Sequence, residues 1–149
     1  MTGVTLLDKR IKRLIMYYLK HFETNDPFKI AEILGIKVFF EPLGKYSGMY
    51  KYLAHTRCIF LNSGIEDEVF LSVVMAHELG HAVLHWKENC CFMAHHTLML
   101  TSKTERQANW FAAYLLITQD MLNDFAGCTK DQFCRCTGYP MELIDLRLK

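Results

Sequence analysis

His77-Glu78-Leu79-Gly80-His81 constrains this chain more than any other stretch, because its two imidazoles can act together only if the segment is an α-helix. Positions i and i+4 of a helix lie one turn apart on one face, so both rings can reach a single ion at roughly 2.0–2.1 Å. Glu78 is turned about 100° from His77, outside direct coordination and near the place an attacking water would occupy. That division of roles suits amide hydrolysis. A divalent ion polarises a carbonyl and lowers the pKa of water to roughly 7, while a carboxylate carries the proton to the leaving amine. A shuffled chain of this composition would contain the pattern only about 0.02 times, so accident explains it poorly. The alternative is a helix whose histidines are merely packed or exposed.

A catalytic tetrahedral site takes three protein ligands and keeps one position open, so a third ligand is required. His85 shares the helix face of His77 and His81, but eight helical residues span about 12 Å, too far for convergence on one ion. It reads as a neighbouring or packing residue. The longer H-E-x-x-H-x-x-G-x-x-H pattern is absent, since Leu84 and Lys87 stand where Gly and His are needed. Glu105 is the better candidate, on a new helix whose same-face residues Ala108 and Ala112 are small enough to permit close approach. It also stands three residues after Ser102, as the acid of a capping box would, and spacing alone supports both readings.

The chain has 149 residues, 51% hydrophobic and 22% charged, which suits one compact domain over 1–149 with a buried core. Net charge is +1, and the short basic cluster Lys9, Arg10, Lys12, Arg13 reads as the wet face of a helix. Direct nucleic-acid binding is therefore not expected. The N-terminus lacks the order of a signal peptide, and no apolar run approaches the roughly 20 residues of a membrane span, so a cytoplasmic location without a membrane partner is expected. Six cysteines form no Cys-x-x-Cys pair and read as free, mostly buried thiols. Cys90 and Cys91 with His95 and His96 could form an accessory metal site, although adjacent cysteines lack the usual ligand spacing.

The expected class is α+β. Residues 1–35 read as two N-terminal helices, the first with Leu7, Ile11, Leu14, Ile15 and Leu19 at helical spacing, the second over 26–34 and ended by Gly35. Residues 36–62 hold three strand candidates, 36–40, 47–53 and 57–61, giving a small sheet with an antiparallel hairpin. Residues 63–118 carry the motif helix, with a Ser63…Glu66 capping box and an end near Trp86, and then the Glu105 helix to about Ile117. The aromatic and aliphatic stripe Trp110, Phe111, Tyr114 and Leu115 on that second helix reads as core. Residues 119–149 read as C-terminal helices, one opened by Thr129…Gln132 and a last one from Met141 after Gly138-Tyr139-Pro140, resembling a helix-turn-helix.

His77 to His85, followed by Glu105-Arg-Gln-Ala-Asn-Trp-Phe-Ala-Ala-Tyr-Leu-Leu116, resembles the ImmA/IrrE metallopeptidases, in which a Glu-x-x-Ala-Asn-x-Phe-Ala helix follows the zinc helix. The Ile59 to Asn62 strand end is similar too, and the likeness covers roughly residues 26–120. It implies a zincin-like fold, with His77, His81 and Glu105 as Zn2+ ligands and Glu78 as catalytic base. Manganese or iron would suit the same ligand types. One departure is visible at Ile117-Thr118-Gln119, where the family usually carries an apolar residue and a proline; Thr118 could cap the next helix instead. The resemblance further implies site-specific cleavage of a cytosolic helix-turn-helix transcriptional repressor, which derepresses a mobile element or prophage. Control could lie in the enzyme, in the repressor or in a third, regulatory protein. The length matches the short members, without the C-terminal sensor domain of the radiation-response type.

Substrate is expected in extended form along an edge strand, with 57–61 as the candidate. An oxyanion donor could come from His95, His96 or Tyr114, and none is assigned. Two other readings compete. One is a zincin-fold protein that sequesters a repressor or other partner without cutting it. The other is a small-substrate metallohydrolase such as a peptide deformylase, which shares only H-E-x-x-H and whose metal cysteine lies in a context unlike Arg57-Cys58-Ile59.

Overall fold

The computed structural model describes residues 6–93 and 102–149. Helix α1 (Leu6–His21) buries Ile11, Ile15 and Tyr18 while Lys9, Arg10, Lys12 and Arg13 stay exposed, as an amphipathic helix should. Helix α2 (Pro27–Ile33) begins with proline in its first turn, capped by Asp26, whose Oδ1 accepts from the Phe28 amide at 2.9 Å. Gly35 then takes φ +74°, which lets the chain reverse into the sheet.

The expected strands form as β1 (Lys37–Glu41), β2 (Tyr46–Leu53) and β3 (Thr56–Asn62). β2 and β3 make the antiparallel hairpin, turning through Ala54 and His55, both at positive φ. β1 pairs with β3 in parallel, and a strand not anticipated from the sequence, β4 (Cys90–Met93), adds antiparallel to β2, giving the order β1-β3-β2-β4. β4 is a four-residue run just after the motif helix, too short for periodicity to separate from loop. The order corrects the placement of the substrate strand. Residues 57–61 lie in β3, which has a neighbour on each side, so the sheet's edges are β1 and β4.

Helix α3 (Glu68–Leu84) crosses the sheet with every residue from Val73 to Ala82 buried, because the sheet covers one side and α4 (Lys103–Leu116) the other. Its start differs from the Ser63 capping box. Ser63 donates its amide to the Glu41 carbonyl and stays tied to the sheet, so Asp67 caps instead, accepting from the Val69 and Phe70 amides. The helix also ends two residues before Trp86. Carbonyls freed there are met by sheet side chains: Tyr50 donates its hydroxyl to Trp86 O at 2.6 Å, and Arg57 donates to Ala82 O at 3.2 Å.

Three short helices finish the chain. Thr118 caps α5 (Gln119–Asp124) in the role proposed for it, accepting from the Met121 amide. Thr129 and Gln132 form the capping box of α6 (Lys130–Thr137), and α7 (Met141–Arg147) follows a left-handed Gly138. Phe133, Leu143 and Ile144 dock these helices onto the same apolar cluster as Ile11, Ile59, Leu79 and Phe111. Of the four cysteines whose side chains are described, Cys58 is buried, Cys134 is half-buried, and Cys128 and Cys136 are exposed, against the expectation of mostly buried thiols. Cys128 lies in the turn between α5 and α6 and Cys136 on the wet face of α6, in a C-terminal region that contributes few side chains to the core. No helix of the described residues is long and apolar enough to cross a membrane.

Candidate metal centre

Helix α3 presents His77 and His81 toward α4 from one face, and both are wholly shielded from solvent. The opposing α4 brings Glu105 in from its first turn. Glu105 Oε2 lies 2.8 Å from His77 Nε2, its Oε1 lies 3.1 Å from His81 Nε2, and the two imidazole nitrogens are 3.2 Å apart. Only half of the capping box forms, because the Glu105 carboxylate is turned to the histidines and away from the Ser102 amide. The Glu105 backbone amide donates to Ser102 Oγ as a capped helix requires.

Closeness of α3 and α4 makes this convergence possible. A Cβ at Gly80 would lie 3.1–3.2 Å from Ala108 Cα, Ala108 O and Phe111 Cβ, so glycine on α3 faces alanine on α4 at nearly backbone contact. Glu78 projects to the other side, toward β2, and is fully buried. A Cβ at Gly48 of β2 would stand 3.1 Å from Glu78 Cγ and 2.8 Å from Val74 Cγ1, so only glycine lets the strand pass over the glutamate.

Asn109 had no role assigned from sequence. Buried one turn after Glu105, it holds its Oδ1 2.6 Å from His77 Nδ1. That contact puts the ring proton on Nδ1 and leaves Nε2 with its lone pair facing His81 and Glu105. The available signal was its i+4 relation to Glu105, which places both on one helix face.

Electrostatics and geometry agree on what this cluster could hold. Burial pushes the Glu105 carboxyl up, but His77 and His81, when they also carry a proton at Nε2, donate to it and supply charge, and these effects prevail and hold it at about 2. Three electron-pair donors so close together repel unless a proton or a cation sits among them. Four-coordinate zinc with bonds near 2.0–2.1 Å would set its ligands roughly 3.3 Å apart, close to the separations seen. His77, His81 and Glu105 are the described residues that could hold a metal ion, and they fit one.

His85 stays outside this group. Its ring is 6.1 Å from that of His81, and burial together with His81 lowers its pKa against the opposing pull of Glu88, Gln107 and Glu105. Tyr114 lies more than two turns along α4 from Glu105, about 13 Å by helical rise, and its hydroxyl donates to Lys149 O. It does not reach the centre. Its neighbours Phe111 and Leu115 are core, as expected. His95 and His96, and the side chains of Cys90 and Cys91, fall outside the described residues.

A peptidase family model described as the IrrE N-terminal-like domain matches residues 31–148. The chain is 33% identical over 146 residues to "Uncharacterized immunity region protein 2" of Bacillus phage phi105, covering 96% of this chain and 89% of that protein. It is 30% identical over 146 residues to "Metallopeptidase ImmA" of Bacillus subtilis (strain 168), covering 94% of this chain and 85% of the relative. With the family model spanning most of its length, the chain belongs to the IrrE N-terminal-like family of metallopeptidases.

Proposed function

We propose that this protein is a zinc-dependent, site-specific endopeptidase that cleaves a cytosolic helix-turn-helix repressor and so derepresses a mobile element or prophage. The observation that carries the reading is the convergence of His77 Nε2, His81 Nε2 and the Glu105 carboxylate within 2.8–3.2 Å of one another. The names of the relatives, a phage immunity-region protein and a metallopeptidase, support the setting.

His77, His81 and Glu105 would hold the ion, and Asn109 fixes the His77 ring for that task. Zinc, when bound, supplies Lewis acidity toward the scissile carbonyl and toward water. Glu78 would take the proton of the attacking water and return it to the leaving nitrogen, its side chain packed under Gly48 and buried. Substrate in extended form adds to the outer side of β4, the edge strand next to β2 and therefore nearest Glu78.

The test has two arms. Metal per chain, measured by elemental analysis after dialysis against a moderate chelator, should be about one zinc for the wild type and near none for Glu105→Ala. Equal retention by both would remove Glu105 from the site. The purified protein should also cut the repressor of its own immunity region at one bond, and Glu78→Gln should slow this by about 10²–10⁴ while retaining zinc. If Glu78→Gln counteracts the repressor as well as the wild type does, the protein acts by binding and the peptidase reading fails.

A further inference from the structure

β1 is an edge strand with an unusual sequence for that position, Lys37-Val38-Phe39-Phe40-Glu41. Natural sheets protect their edges with several charges, prolines or bulges, because unpaired backbone groups there accept another strand. Here Phe39 and Phe40 are 41% and 53% exposed, large values for phenylalanines side by side. Phe39 stacks on Phe60 of β3 across one face of the sheet, and Phe40 stacks on Phe28 of α2 across the other. The charges stand only at the two ends, and neither Lys37 nor Glu41 has an ion-pair partner among the described residues.

The hydrogen-bonding direction of the strand is settled by its last residue. Glu41 O accepts from Ser63 N on the β3 side, so by alternation Lys37, Phe39 and Glu41 address β3. Val38 and Phe40 therefore turn their amides and carbonyls outward. We propose that this edge pairs antiparallel with β1 of a second copy, about a two-fold axis through Phe39, to form a dimer with one continuous sheet. In that register Val38 of each copy faces Phe40 of the other, and each such pair exchanges both backbone hydrogen bonds. Phe39 meets its own mate at a non-hydrogen-bonded position, which extends the Phe60–Phe39 stack across the axis. Lys37 of each copy then stands opposite Glu41 of the other.

No neighbouring antiparallel register achieves this. Shifting by two residues keeps the outward groups aligned but sets Lys37 against Phe39 or beyond Glu41, leaving both charges unpaired. The sequence is thus self-complementary in charge only for the symmetric pairing. Pro42 limits the strand after Glu41, and a two-fold contact uses the same edge on both copies, so assembly closes at two and does not run on into a fibre. The β4 edge lies at the opposite end of the sheet and takes no part in this contact. The inference is independent of the metal and of peptidase activity.

Sedimentation of the full chain over a micromolar concentration series tests it. The wild type should form dimers, and Lys37→Glu and Glu41→Lys should each weaken dimerisation by roughly ten-fold or more, since each places like charges opposite each other at both ends. An equimolar mixture of the two variants should associate as a heterodimer, because the all-acidic edge of one matches the all-basic edge of the other. The double exchange Lys37→Glu with Glu41→Lys should restore self-association, which a misfolded chain would not do. A wild type that stays monomeric throughout, single variants that dimerise as well as the wild type, or a mixture and double exchange that both remain monomeric would each overturn the proposal.

Discussion

Asn109 shows how much of the candidate metal centre lies just behind the residues that would hold the ion. Its side-chain Oδ1 lies 2.6 Å from His77 Nδ1, and both residues are buried away from bulk solvent. Removing it leaves the ring free to rotate or to adopt the other tautomer, with a proton on Nε2 where a lone pair is needed. Asn109→Ala should therefore lower metal affinity by about 10–100-fold, measured by chelator competition, with little change in fold. Asn109→Asp keeps an acceptor at the same distance and should recover most of that loss. An Ala variant that binds as tightly as the wild type would show that packing alone orients His77.

At the scale of elements, the centre depends on two helices being closer than ordinary side chains permit. Gly80 and Ala108 supply the gap, and a methyl group at residue 80 would press on Ala108 backbone atoms at 3.1–3.2 Å, which cannot swing aside. Gly80→Ala would normally favour a helix by about 1 kcal/mol. Here it should instead destabilise the protein by about 1–3 kcal/mol in denaturant unfolding, because overpacking exceeds the gain in propensity. The same displacement moves Glu105 away from His77 and His81, so metal affinity should fall along with stability. A more stable Gly80→Ala protein with unchanged metal binding would mean that the helices separate without cost. The sheet meets α3 in the same manner on its other side, where Gly48 passes over Glu78.

Over the whole molecule, α1 closes the core against α4, and Tyr18 reports on that closure. Burial pushes the Tyr18 phenol from its ordinary 10.0 to about 12, against the pull of Arg57 and with a small push from Tyr17. A raised phenol pKa means the fold prefers the neutral form. The stability Tyr18 contributes is whole below pH 10.0 and is lost as pH rises through about 12. Denaturant midpoints should therefore fall over that window, and Tyr18→Phe should flatten the fall. A wild type and a Phe variant with identical alkaline limbs would place the titration elsewhere, for instance at Tyr139, whose phenol burial also raises.

Local signals in the sequence were enough for most of the elements and for the two histidines of the candidate site, while Glu105 needed the family resemblance as well. Helical spacing put His77 and His81 on one face, small residues marked the approaching face of α4, and most caps read correctly because capping is chemistry within a few residues. The two readings of Glu105 could not be separated by spacing, since both use its carboxylate, and the fold turns that carboxylate to the histidines while Ser102 caps through the Glu105 amide alone. What tertiary structure alone decided were the relations between segments distant in the chain. These include the insertion of β3 between β1 and β2, the addition of β4, the displacement of the α3 cap from Ser63 to Asp67, and the contact of Asn109 with His77. Each depends on which backbone groups and side chains meet after the core closes, and no periodicity within a single segment records that.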